Sequence, residues 1–128
     1  HGKARIATGS PFEPVNFNGH TVHIAQCNNA LAFPGIGLGV IACGAKEVSD
    51  QMLYAASLAI AEHAPDSSEP YAPVLPLVEH AESISKAIAK AVADAAIDEG
   101  LSTMQKQDVE AAIESQYWLP HYVPFKRT

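Results

Sequence analysis

At 128 residues the chain can bury one proper core and is too short for two domains. Its 48% hydrophobic and 17% charged residues exclude a disordered or fibrous chain. A net charge of −6 is the opposite of the basic footprint that a nucleic-acid binder carries, so no nucleic-acid partner is expected.

Taken in order, Arg5 to Thr8 reads as a short strand stopped by the turn Gly9-Ser10-Pro11. A strand end that delivers Thr8-Gly9-Ser10 into a loop is where an open α/β sheet sets its ligand crevice. An ordinary edge strand and turn would use the same residues. Val15 to Ile24 carries a hairpin signal, because Asn18 and Gly19 both tolerate positive φ and Val15, Phe17, Val22 and Ile24 alternate around them. His20 and His23, three apart on a strand, point to opposite faces and do not suggest a metal site.

The stretch from Gln26 to Gly39 organises the rest. Asn28-Asn29 leads into an apolar segment with Pro34 and the alternating glycines Gly35, Gly37 and Gly39. Neighbouring asparagines are poor inside a helix but suit a cap, and they present neutral donors and acceptors. Capping alone and recognition of a carboxylate or carboxamide are both open readings. A helix is expected from about Phe33 to about Ala45, with Pro34 in its first turn. Each glycine weakens that helix by ~1 kcal/mol relative to alanine. Close approach of another backbone, or of a flat ligand, is the natural compensation.

Ser49-Asp50 caps a next helix, whose apolar face is Met52, Leu53, Ala56 and Ile60 and which ends before Pro65. Pro65 to Pro76 reads as a surface connection. A long helix follows from about Ala81 to Glu99, with Ile84, Ile88, Ala91, Val92 and Ala95 at helical spacing and Gly100 at its C-terminal cap. Its alanines predict a thin face packed close to a neighbour. Ser102 and Gln105 resemble a capping box for a last helix near Thr103 to Tyr117, with Val109, Ala112 and Ile113 inward. The tail from Trp118 to Phe125 has no period, and its aromatics are expected to be buried against this chain or a partner.

Cys27 and Cys43 have no metal-ligand spacing and sit among apolar neighbours, which predicts two buried, reduced thiols in a cytoplasmic protein. The apolar run Ala30 to Ala45 is shorter than the ~20 residues of a membrane span and is interrupted by Pro34, so no membrane association is expected. No signal peptide is visible. His1-Gly2-Lys3 runs without a lead-in into strand-like residues, so the chain is expected to be a piece of something larger. No complete catalytic set appears. The alternating glycines do not match the G-x-G-x-x-G phosphate loop, and Ser10 has no nucleophile-elbow context.

Several of these stretches do match a family pattern. Gly2-Lys3-Ala4-Arg5-Ile6-Ala7-Thr8-Gly9-Ser10-Pro11-Phe12 resembles the G-R/K-A-x-x-A-T/S-G-S-P-F motif of malic enzymes. Gln26, Asn28, Asn29, Phe33, Pro34 and Gly35 resemble their Q-x-N-N-x-x-x-F-P-G segment, and Gly37-Leu38-Gly39 continues the likeness. Ser49-Asp50-x-Met52 and Trp118-x-Pro120-x-Tyr122 also fit, so the resemblance spans essentially the whole chain. Malolactic enzymes share these motifs.

The resemblance implies the C-terminal part of an α/β, Rossmann-like NAD(P)-binding domain. Residues 1–128 would be a single incomplete domain, mostly α-helical with a short strand and a β-hairpin. It implies oxidative decarboxylation of L-malate to pyruvate and CO2, with NAD or NADP and divalent Mg or Mn in the full-length enzyme. Asn28 and Asn29 would lie at the substrate pocket, and Thr8, Gly9 and Ser10 close to the cofactor. The expected partners are malate and pyruvate, the remainder of the enzyme chain and further copies in a homo-oligomer. None of Tyr54, Tyr71, Tyr117 and Tyr122 sits in the family's general-acid motif, and no lysine matches its general base. No catalytic or metal-binding residue is therefore assigned to this chain. A malolactic segment, or a non-catalytic helical oligomerisation module, would share much of this sequence.

Overall fold

A computed structural model describes residues 4–66, 68–119, 122 and 124–126. Gly2 and Lys3 of the first motif and Pro120 of the last lie outside the described residues, as do His121 and Val123 of the tail. Asn18 and Gly19 adopt φ of 50° and 80°, the paired positive values of a tight hairpin turn. The turn joins antiparallel β2 (Val15–Phe17) to β3 (His20–Val22), with Val15 opposite Val22 and Phe17 opposite His20. The hairpin leans on the loop before the long helix: the His20 ring stacks on Tyr71 at 4.3 Å. Arg5 donates to the Glu69 carbonyl at 2.6 Å.

The hairpin is flanked by two very short strands. β1 is Ala7–Thr8, shorter than the expected Arg5 to Thr8. β4 (Ala25–Gln26) was not anticipated, because two residues carry no readable period. The two pair in parallel, Ala7 with Ala25 and Thr8 with Gln26.

The remainder is helical: α1 (Phe33–Cys43), α2 (Asp50–Glu62), α3 (Ala81–Asp98) and α4 (Val109–Gln116). α3 is the axis against which the other three pack. Its buried face is Ile84, Ser85, Ile88, Ala89, Val92, Ala93 and Ala96, and the small side chains let a neighbour come close. α1 uses that space. A methyl at Gly35 would lie 2.6 Å from Ile88 Cβ, and one at Gly39 would lie 2.6 Å from the Ala89 carbonyl oxygen. For these two glycines the compensation is backbone approach, so no flat ligand is required there. Gly37 has open space around it.

α2 begins as expected, with Ser49 Oγ accepting from the Met52 N–H at 3.1 Å. The same hydroxyl donates to Glu99, just past the end of α3. Gly100 takes φ 71° and closes α3. The last helix departs from expectation: it starts at Val109, after a 3-10 turn at Lys106–Asp108, and no capping box forms at Ser102 and Gln105. Buried Ser102 instead donates to the Cys43 carbonyl at 2.6 Å and accepts from the Met104 N–H. Its hydroxyl is used to fasten the end of α1.

One expectation about burial is corrected, and one of the two alternatives for the tail is excluded. Cys43 is buried in the core, but Cys27 is exposed because it leaves β4 toward the loop side. Trp118 is 73% exposed, and Tyr122 and Phe125 are fully exposed, so these aromatics are not buried against the described chain. No helix among the described residues is long and apolar enough to cross a membrane.

Candidate functional site

In a parallel pair both strands run the same way, so the loops that follow them leave at the same edge. Cys27 N–H donates to the Thr8 carbonyl at 2.8 Å and Ala25 N–H to the Ile6 carbonyl at 3.3 Å, which continues the pairing to the strand ends. Thr8-Gly9-Ser10 and Cys27-Asn28-Asn29 are thereby brought side by side, although 18 residues separate β1 from its partner in register. The sequence pointed to both groups, but not to the strand that joins them.

Within this pair of loops the polar groups divide into engaged and free. Thr8 Oγ1 donates to the Ser10 carbonyl at 2.9 Å and holds the turn. Gln26 Nε2 reaches the Gly9 carbonyl at 3.4 Å. Asn28 Oδ1 accepts from the Ala30 N–H at 2.9 Å, capping a 3-10 turn at Asn29–Leu31. That turn separates the asparagines from α1, whose own cap is Ala32 without a side-chain bond. Asn28 is therefore a cap, though not of the helix expected. Asn29 is exposed, and its carboxamide bonds no other described residue. One amide of the doublet builds the loop while the other stays exposed.

Glu13 is the only acid before Glu47, so the acidic side chains belong almost entirely to the helical part. A methyl placed on Gly9 would meet nothing within 4 Å, so the backbone there is uncovered. A separate hollow of about 330 Å³ lies between the hairpin and the loop at 70–74, walled by Ile6, Val15, Phe17, Ile24 and Val74. Neither asparagine lines it, and Arg5 and His23 stand among its otherwise mostly apolar walls.

The family model for the NAD-binding domain of malic enzymes matches residues 1–97. The chain belongs to the malic enzyme family. It is 52% identical to an NAD-dependent malic enzyme of Shewanella frigidimarina over 99% of its own length. It is 49% identical to that of Shewanella baltica over the same share. The chain spans 23% of the length of these curated relatives. Among solved structures, the malic enzyme of Entamoeba histolytica superposes with a TM-score of 0.67 at 28% identity, covering 88% of this chain and 21% of that one. The malic enzyme of Pyrococcus horikoshii gives 0.66 at 27% identity, covering 88% and 23%. This member of the malic enzyme family is thus a segment of an α/β domain, in which the described residues form mostly helix around a parallel strand pair. Among the described residues no three His, Cys, Asp or Glu side chains come together to hold a metal ion.

Proposed function

We propose that this segment belongs to an oxidoreductase that converts L-malate to pyruvate and CO2 while reducing NAD, and that it supplies the substrate-gripping amide and part of the cofactor ledge. The observation that carries the reading is Asn29, a neutral carboxamide with no bond to any other described residue. It sits beside Thr8-Gly9-Ser10 at the C-terminal ends of parallel strands. NAD is favoured over NADP by the relatives that are 52% and 49% identical to this chain, which are named NAD-dependent malic enzymes. Bound NAD would supply the hydride acceptor, with Thr8, Gly9 and Ser10 holding it at the strand end. The Asn29 N–H groups bind a malate carboxylate, fix its orientation and add no charge of their own. Asn28 holds the loop that presents Asn29, and the Thr8 hydroxyl keeps the adjoining turn closed. The acid, the base and the carboxylates for Mg or Mn come from the remainder of a cytoplasmic, homo-oligomeric enzyme.

A hydrogen bond to a charged group contributes about 1.5–3 kcal/mol. Asn29→Ala in the full-length enzyme is therefore expected to lower kcat/KM for malate by about 10- to 100-fold, with the thermal midpoint unchanged. Wild-type kinetics in this variant would return the doublet to capping alone.

A further inference from the structure

Gln26 is the residue that ties the two loops together through a side chain. It pairs in parallel register with Thr8, and its carboxamide N–H extends past the strand end to the Gly9 carbonyl at 3.4 Å. One residue later, Cys27 N–H takes the Thr8 carbonyl. The Thr8-Gly9 segment thus receives consecutive donors from the chain that continues directly into Asn28 and Asn29. The contact is long for an amide hydrogen bond and contributes little to stability by itself. Its position is what matters. If Gly9 shifts to admit a nucleotide, Gln26 shifts the start of the asparagine loop with it, and the reverse also holds. Main-chain pairing alone would fix the strands but leave the Gly9 carbonyl without a partner from β4.

We infer that Gln26 is a positioning residue which couples occupancy of the cofactor ledge to the placement of the substrate amide at Asn29. The inference rests on the function proposed above for these two loops. Coupling between two sites is reciprocal: the factor by which malate tightens NAD equals the factor by which NAD tightens malate. A side chain that transmits this factor leaves a mark that general destabilisation does not.

The experiment uses the full-length enzyme and Gln26→Met, which keeps the side-chain length and removes the donor. The dissociation constant of NAD is measured by calorimetry on the metal-free enzyme, which cannot turn over, without malate and with saturating malate, alongside steady-state kinetics and the thermal midpoint of the metal-loaded enzyme. Wild type is expected to show several-fold tighter NAD in the presence of malate. In Q26M that ratio is expected to fall toward one, with KM for both ligands raised several-fold and the midpoint within a degree or two. A wild-type ratio of one, a ratio that Q26M preserves, or a change confined to the midpoint would overturn the inference. Asn29→Ala separates this from the underlying reading. If N29A leaves malate kinetics intact, the assignment of the asparagine loop fails. If N29A impairs malate use while Q26M keeps the coupling ratio, the role of Gln26 fails alone.

Discussion

Gly35, Gly37 and Gly39 look equivalent in sequence, and the structure separates them. Gly39 presses its Cα against α3, where a methyl would stand 2.6 Å from the Ala89 carbonyl oxygen and 3.0 Å from Val92 Cβ. Overpacking of this kind costs about 1–3 kcal/mol. The propensity gained by alanine returns ~1 kcal/mol, so steric conflict wins. Gly37 faces open space, and there the propensity term stands alone. Gly39→Ala is expected to lower the thermal midpoint of the full-length enzyme by several degrees, whereas Gly37→Ala leaves it unchanged or raises it. Equal losses at both positions would show that some other surface crowds Gly37 as tightly as α3 crowds Gly39. The same residue-by-residue separation applies to the asparagines. Adjacency in sequence made them a pair, but only Asn28 Oδ1 is spent on a backbone N–H.

At the scale of elements, α4 is short and is held by Val109 and Ile113 in the core and by Lys86 at its far end. Lys86 Nζ meets Glu114 at 2.9 Å and lies 4.5 Å from the Tyr117 ring centre, where the chain leaves the helix. The hydrogen bond to Glu114, with its charge and that of Glu82, raises the Lys86 pKa above its ordinary value. A raised folded pKa means that the contribution is complete below the unfolded value and is lost as pH climbs through the folded one. The gap in thermal midpoint between wild type and Lys86→Met is therefore expected to stay constant from neutral pH to about 10, then close at higher pH. A gap that closes near neutrality would assign the effect to other groups. Much at this scale was legible beforehand: the hairpin from Asn18-Gly19, α2 from Ser49, and α3 from its period and Gly100. What stayed hidden depended on partners far away in sequence. β4 is visible only through its pairing with β1, and Ser102 is drawn from a local cap to the carbonyl of Cys43. The candidate site followed the same division, since both loops were named from their residues while the strand pairing that joins them through Gln26 was not.

For the molecule as a whole, the parallel pair β1–β4 is the decisive feature. Parallel strands are stable in larger sheets covered on both faces, and two strands of two residues each cannot form such a sheet. Other surfaces are left open as well: Phe33 and Ile41 on the outer side of α1, Leu53, Tyr54 and Leu58 on α2, and Trp118 beyond α4. Apolar exposure on this scale fits a segment whose covering elements belong to the rest of a longer enzyme, in keeping with its 23% share of the relatives' length. The same partition governs the chemistry. Under the proposed function the strand ends contribute neutral amides, hydroxyls and bare backbone, which can orient an anion but neither donate nor accept a proton near neutral pH. General acid–base catalysis contributes about 10²–10⁴-fold, and Lewis-acid polarisation by a metal adds several kcal/mol more. Under the proposed function both sources lie in the remainder of the enzyme, and binding alone does not lower the barrier to hydride transfer. The isolated 128-residue chain is expected to form no NADH from malate above a buffer control, with Mg2+ or Mn2+ present. Turnover clearly above that control would place a proton-transfer group within this segment and overturn the division of labour argued for the strand ends.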